Sequence, residues 1–425
     1  MKVRISFIAV LVASLVVCAA PAGAQTIGSV PQELGATLLL PYFEVDLANA
    51  NGPTTRFSIN NASATAILAH VTIWSDLSVP VLAFNVYLTG YDMASIDMRD
   101  VVNGRLPQTA STSGDPGDLI SPHGPFSQDI NFASCFGQLP LPTVLPQFYI
   151  DHIQNSLTGK FTSFYGACAG TVSGNLARGY VTVDTVNNCT LRFVKDPGYI
   201  TGDLTYQNAL WGDFSYVNTG FFLQGNPLVT IPASQTDPRV NTAGNYTFYG
   251  RYGDAGAWMA LDRRGPLATS FAGKYVRNST IAIAWRDPKV NQKRFTCGTL
   301  PAWYPLGEEA IVIFDEQEHP QVPSVVPVAP QPPPVLFNPF RAATQKVLVG
   351  GSRFPVPFAS GWLYYDLNTT VTAAGANPPI DPAAAQAWIM HMRTINGGSF
   401  GNVGMNGGNI FQLDNAVAPL HNFPN

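Results

Sequence analysis

The densest chemistry along this chain is one run, Asp315-Glu316-Gln317-Glu318-His319. Carboxylates bunched this closely supply hard oxygen ligands, so Asp315, Glu316 and Glu318 form a candidate calcium site. Paired carboxylates also serve glycoside hydrolysis, provided the fold sets them ~5–10 Å apart as acid and base or nucleophile. The plainer alternative is a solvated junction between the apolar run Ala310–Phe314 and Pro320. Other acids, among them Asp115, Asp118, Asp196, Asp203 and Asp254, lie beside or near glycine and read as turns. None follows the D-x-D-x-D-G calcium pattern.

Aromatic side chains offer a second kind of chemistry. Trp211, Trp258, Trp303 and Tyr304 stand near glycine or proline, at expected turns or strand ends. Exposed rings stack on sugars or fill a partner's pocket; buried ones plug a sheet core. The histidines, His70, His123, His152, His319, His391 and His421, are scattered. There is no G-x-S-x-G elbow, and Glu318-His319 lacks the second histidine of a zinc helix. His70 and His391 sit inside apolar patterns and read as hydrogen-bonded scaffold.

Cys135, Cys168, Cys189 and Cys297 remain after a leader that holds Cys18. An even number in an exported chain reads as two disulfides. The expected pairs are Cys135–Cys168, closing a loop around one short helix, and Cys189–Cys297. No pair has C-x-x-C spacing, which argues against zinc.

The elements that must carry these groups are mostly strands. Leu82, Phe84, Val86 and Leu88 alternate with Ala83, Asn85 and Tyr87, and Ile67 to Trp74 alternates likewise. That is the period of a half-buried strand. Further strands are expected at Tyr180–Val186, Trp211–Asn218, Leu228–Pro232, Thr247–Tyr252, Phe271–Val276, Thr280–Trp285, Ala310–Phe314 and Trp362–Leu367. Tyr149, Ile153 and Leu157 have helical spacing, and Gly159 can end a helix over Pro146–Thr158. A helix start is expected at Asp381 to Ala387, while Trp388–Arg393 fits helix or strand. His70 to Asp76, ending Trp-Ser-Asp, resembles Ile281 to Asp287, ending Trp-Arg-Asp, which points to an internal duplication. Short strands with glycine and proline turns predict a mainly β protein. The expected form is two antiparallel β-sandwich units, immunoglobulin-like or jelly-roll-like, with one or two short helices.

The ends and joints complete the organisation. Lys2 and Arg4, the apolar Ile5–Val17 and Ala22-Gly23-Ala24 form a secretory signal peptide over residues 1–24. Branched Val17 before Cys18 argues against lipid attachment. Residues 25–105 are expected as the first sandwich, 106–177 as loop and short helix, and 178–319 as the second sandwich. Residues 320–335 are a proline-rich connector, and 336–425 a segment packing on the β units. Charged residues make up 12% of the chain and the net charge is −4. No Lys/Arg run tracks phosphates, so nucleic acid is not an expected partner. No stretch of the mature chain reaches the ~20 apolar residues of a spanning helix.

The stretches Leu82–Asp92 (LAFNVYLTGYD), Ala177–Cys189 (ARGYVTVDTVNNC) and Asn208–Asn218 (NALWGDFSYVN) resemble uncharacterised secreted bacterial proteins. The resemblance implies a bacterial, exported chain and assigns no activity. The expected function is binding or assembly without catalysis, toward a protein or glycan at the cell surface, outside the cell or in the periplasm. No organic cofactor is expected, with calcium as the one candidate ion. The rival expectations are a carboxylate-dependent, polysaccharide-active enzyme and an outer-membrane barrel.

Overall fold

Every second residue of a strand faces the same way, and here both faces are covered. Ile67–Ser75 and Pro80–Leu88, expected to be half-buried, are buried at every position, so neither face of these strands is left to solvent. The computed structural model describes residues 33–107, 139–218, 221–222, 226–234, 247–249, 262–268, 270–288, 293–301, 304–306, 310–321, 339–367 and 386–393. The chain divides into Met1–Glu33 and a compact unit, Leu34–Asn425. The expected signal peptide lies outside the described residues.

Strands β1 (Thr37–Asp46), β2 (Thr54–Asn61), β3 (Ile67–Ser75), β4 (Pro80–Leu88) and β5 (Met93–Asp97) precede a short helix, Met98–Val102, and a longer one, Gln147–Leu157. The second lies where helical spacing placed it. Then come β6 (Leu176–Val186), a π-helical turn Tyr199–Asp203, β7 (Leu210–Trp211), β8 (Asp213–Asn218), β9 (Phe221–Phe222), β10 (Asn226–Pro227) and β11 (Val229–Ile231). One sheet runs β11-β1-β6-β3-β4, and the facing sheet runs β10-β8-β2-β5. Between them Leu40, Val71, Ile73, Val181 and Val183 pack on Phe57, Ile59, Ile96 and Phe214. Each such side chain contributes ~1.5–3 kcal/mol on burial.

The second sandwich uses β12 (Ser270–Val276), β13 (Thr280–Arg286), β14 (Ala310–Phe314), β15 (Pro320–Gln321), β16 (Thr344–Val349), β17 (Ser360–Asp366) and β18 (Ala387–Arg393). Its sheets run β12-β17-β14-β15 and β16-β13-β18. Phe271, Ala282, Ala284, Ile311, Ile313, Leu363 and Tyr365 form its core. The protein is thus mainly β, built of antiparallel sandwich units, and none of these sheets closes into a barrel. Among the described residues no helix is long and apolar enough to cross a membrane.

The two sandwiches repeat one succession. β2 pairs β5 while β3 lies between β4 and β6; β12 pairs β17 while β13 lies between β16 and β18. All of these pairs are antiparallel. The Trp-x-Asp motifs fall at matching ends of β3 and β13, in line with the duplication read from sequence. Both tryptophans are fully buried and meet on one ring. Trp74 stacks on Tyr180 at 5.6 Å, and Trp285 meets it edge-on at 5.9 Å.

Chain order does not separate the units. β1 pairs β6 along its length, and β2 pairs β8. The stretches 25–105 and 178–319, expected as successive sandwiches, therefore share sheets. The tail beyond residue 336 supplies β16, β17 and β18 to the second sandwich rather than packing on a finished one. Ala387–Arg393 is strand, because it completes the ladder on β13. Thr247–Tyr249 is not strand. The Tyr249 N–H goes to Asp262 Oδ2 at 3.0 Å instead of to a neighbouring strand.

Candidate functional site

A polar row crosses the first sheet where apolar residues are the norm. Thr37 on β1 faces Asp184 on β6, Asp184 faces His70 on β3, and His70 faces Asn85 on β4. All four are buried. A buried carboxylate is costly unless its oxygens are satisfied. Asp184 Oδ1 accepts from Thr37 Oγ1 at 2.5 Å, and Oδ2 accepts from the Tyr199 and Tyr249 hydroxyls at 2.7 and 2.8 Å. Burial first, then the Asp184 charge, raises both phenol pKa values, so both rings remain donors. Arg264, wholly buried, lies 3.9 Å from Asp184 and 3.3 Å from Asp262. Its Nη2 donates to the Thr205 carbonyl at 3.0 Å. His70 is kept neutral by burial, which lowers its pKa.

The row holds a loop. Asn85 Nδ2 donates to the Thr190 carbonyl at 2.7 Å, and the His70 ring packs on Tyr199 at 5.2 Å. Between these anchors the chain from Asn188 to Asp203 encloses an open pocket of about 490 Å³. Asn188, Cys189, Thr190, Leu191, Arg192, Asp196 and Asp203 line it. Asp203 is 3% exposed and Arg192 is 52% exposed. Arg192 Nη1 donates to both Asp203 oxygens, at 3.0 and 3.2 Å, and Asn188 Nδ2 donates to Oδ1 at 3.3 Å. Asp196 Oδ2 accepts the Phe193 N–H at 2.7 Å, which shapes the turn below. Gly198 then takes φ +88°, and a Cβ there would sit 3.2 Å from the Arg192 guanidinium. The pocket therefore gathers one guanidinium, two carboxylates, an amide and a hydroxyl. That arrangement suits a ligand with closely spaced donors and acceptors.

The acidic run is spent on a turn. Asp315 accepts from the Gln317 and His319 N–H groups at 2.9 and 2.8 Å and lies 2.8 Å from His319 Nδ1. Glu316 accepts from Ser360 Oγ, and Glu318 has the left-handed φ of +65°. Among the described residues no group of three or more His, Cys, Asp or Glu side chains is placed to hold a metal ion. The calcium site expected of Asp315, Glu316 and Glu318 is not assembled among the described residues, because the Asp315 carboxylate closes the turn and Glu316 is held by Ser360.

The aromatic candidates do not converge either. Trp211 is 38% exposed on the short β7. Tyr304 packs on a cluster of Leu77, Leu306, Ala342 and Ala343. Trp258 and Trp303 lie outside the described residues, as do His123 and His421. His391 is scaffold: its Nε2 is 2.7 Å from the Tyr365 hydroxyl and its Nδ1 2.8 Å from the Lys274 carbonyl. A ring cluster that spacing had not shown surrounds the buried His152. Phe148, Tyr149, Phe164 and Tyr165 pack edge and face there. Phe148, Phe161 and Phe164 are 55, 57 and 49% exposed.

The disulfide pairing differs from the one expected. Cys168 bonds Cys297, 129 residues away, which rules out both Cys135–Cys168 and Cys189–Cys297. The backbone explains it: Cys168 pairs with Phe295 as an isolated bridge, bringing residue 297 within reach. Cys189, in the pocket wall, is also disulfide-bonded. Cys135 lies outside the described residues.

Comparison of the chain with protein-family models, curated proteins and solved structures returns no match.

Proposed function

We propose that this protein is an exported, non-catalytic binding protein whose ligand is a glycan at the cell surface, held in the Asn188–Asp203 pocket. The observation that carries this reading is the Asp203–Arg192–Asn188 group, a buried carboxylate beside a half-exposed guanidinium and an amide. Sugar hydroxyls donate and accept at once, and interleaved donors and acceptors match them. The row beneath, from Thr37 to Asn85, pre-organises the loop, which lowers the ordering cost of binding. Asp196 and Asp203 both carry donors from the protein itself. That favours holding a ligand over the free acid and free base of a glycosidase. Exposed Phe148, Phe161 and Phe164 favour a second, compatible use, assembly with a protein partner, since exposed apolar patches mark interaction sites.

Calorimetric titration of the purified protein with a panel of oligosaccharides tests the pocket. Arg192→Ala is expected to weaken the bound member about tenfold or more, in keeping with ~1.5–3 kcal/mol for a charged hydrogen bond, while the circular dichroism spectrum is retained. Turnover of any polysaccharide, or binding indifferent to Arg192, would overturn the reading.

A further inference from the structure

The row beneath the pocket contains a histidine whose tautomer is set by its neighbours. A carbonyl oxygen only accepts hydrogen bonds, so the Asn85 atom 2.7 Å from the Thr190 carbonyl is the Nδ2 donor. Asn85 Oδ1 is then the atom turned to His70 Nδ1, 3.3 Å away. An amide oxygen has no hydrogen to give, so Nδ1 carries the proton of the neutral ring. Nε2 is the bare nitrogen, and it is buried with no hydrogen-bond partner among the described residues.

A second proton would have to sit on Nε2. A charged N–H buried without an acceptor is unfavourable. The charged groups around the ring are already engaged. On β6, Asp184 Oδ1 accepts from Thr37, and Oδ2 accepts from the Tyr199 and Tyr249 hydroxyls. Arg264 adds a cation beside Asp184. In the π-helical turn, Asp203 accepts from Asn188 and Arg192. Burial lowers the His70 pKa against the pull of the Asp184 and Asp203 charges. Water is the acceptor that remains, and reaching it means lifting the loop from the ring. The loop meets this row at both ends. Asn85 holds the Thr190 carbonyl, and the Tyr199 ring packs on the imidazole at 5.2 Å.

We propose that His70 is an acid-sensitive latch on the pocket: the neutral ring keeps the Asn188–Asp203 loop seated, and a proton taken up by the ring unseats it. Control of ligand binding rests on the pocket reading above, whereas the latch itself needs no ligand. The second sandwich supplies an internal control. Ile281 stands four residues before Trp285, as His70 does before Trp74, and cannot take up a proton.

Hydrogen exchange of the full protein, corrected for intrinsic rates, reads loop opening directly. In the open loop the ring regains the ordinary histidine pKa of ~6.5. The open form then binds one proton more, so each pH unit below that value favours opening by up to about tenfold. The Asp196, Tyr199 and Gly202 amides are bonded within the loop. Their protection should fall about tenfold between roughly pH 7 and pH 5, a window above the ordinary carboxylate range. Amides of β13 around Ile281 should change less than about twofold. His70→Gln, which can still donate to Asn85, should flatten the loop's response, and His152→Gln should leave it intact. If His70→Gln does not fold, the wild type and His152→Gln decide. A loop unmoved by acid, or a response lost with His152, would overturn the latch. Saturation with the bound oligosaccharide should restore protection at pH 5. Opening that persists with that sugar bound, or a panel in which nothing binds, would count against the pocket as a ligand site and leave the latch standing.

Discussion

Matching the two sandwiches by strand succession and by their tryptophans sets β3 against β13, β4 against β16 and β6 against β18. The fourth residue before each tryptophan then marks the same row across each sheet. In the first unit that row reads Asn85, His70, Asp184. In the second it reads Leu348, Ile281, Met392. Apolar side chains therefore suffice for this strand arrangement. Nothing in the fold demands a carboxylate and an imidazole in the middle of a sheet, where each costs free energy to desolvate. The polar row does what its apolar counterpart cannot: it reaches out of the sheet to hold Thr190 and Tyr199, and so the pocket loop.

The sharpest way to break this comparison is to give the first unit a hole where its row is charged. Asp184→Ala leaves Arg264 with Asp262 as its carboxylate partner and removes the acceptor of the Tyr199 hydroxyl. It should cost ~3–5 kcal/mol in urea unfolding, the range for breaking a buried pair, and should abolish glycan binding. Met392→Ala, the matching change in the second unit, should cost ~2–5 kcal/mol as a cavity and leave binding unchanged. Similar loss of binding in both would show that the row has no special tie to the pocket.

The covalent links give the next largest effect. Replacing Cys168 and Cys297 with Ser should cost ~2–4 kcal/mol. Non-reducing peptide mapping should then still find Cys189 joined to Cys135, the remaining cysteine besides Cys18. A Cys189–Cys297 peptide in the native protein would contradict the bridge between Cys168 and Phe295.

Protonation should act on the first unit. His152 Nδ1 is 2.8 Å from the Thr162 hydroxyl and Nε2 is 3.2 Å from the Val81 carbonyl. Burial, with the Arg294 charge adding and the Val81 hydrogen bond opposing, pulls its pKa down to about 4. The unfolded chain, with a histidine pKa of ~6.5, binds a proton that the folded chain refuses in this window. Stability from this group is complete above pH ~6.5 and declines as pH falls toward about 4, by up to ~3 kcal/mol. His152→Gln should flatten that decline in a urea series run across pH. A wild-type slope of the opposite sign would mean the ring is charged when folded.

Much of the architecture was legible because it rests on local pattern. Alternation along Ile67–Trp74 and Leu82–Leu88 marked strands, though it predicted one open face where both are buried, Tyr149, Ile153 and Leu157 marked the helix, and two Trp-x-Asp endings marked matching strand ends. The site was not, because it is made by pairing over distance. Thr37 and Asp184 are 147 residues apart, and no periodicity relates them. The available signal was a charged residue inside an apolar strand, Asp184 within Leu176–Val186, and it was not singled out. The acidic run at Asp315 drew notice through proximity in sequence, yet proximity is what let a tight turn consume it. The cysteines failed for a related reason, since pairing follows Cα separation rather than spacing along the chain.

The smallest effect separates the two tryptophans themselves. They occupy matching positions and are both fully buried, so area alone predicts equal losses on shortening to Phe. Their indole nitrogens differ. Trp74 Nε1 donates to Thr182 Oγ1 at 2.9 Å, whereas Trp285 Nε1 has no hydrogen-bond partner among the described residues. Trp74→Phe removes ring volume and leaves the buried Thr182 hydroxyl without its donor, a loss of ~1–3 kcal/mol for the polar group alone. Trp285→Phe removes similar volume but also relieves a buried N–H that is already unpaired, so the two effects partly offset. We expect Trp74→Phe to be the more destabilising by about 1–2 kcal/mol in urea unfolding. A Thr182→Val background should close the gap, because the donor then has no acceptor to lose. Equal losses in both backgrounds would mean that ring packing on Tyr180, rather than the indole hydrogen bond, sets the cost at both positions.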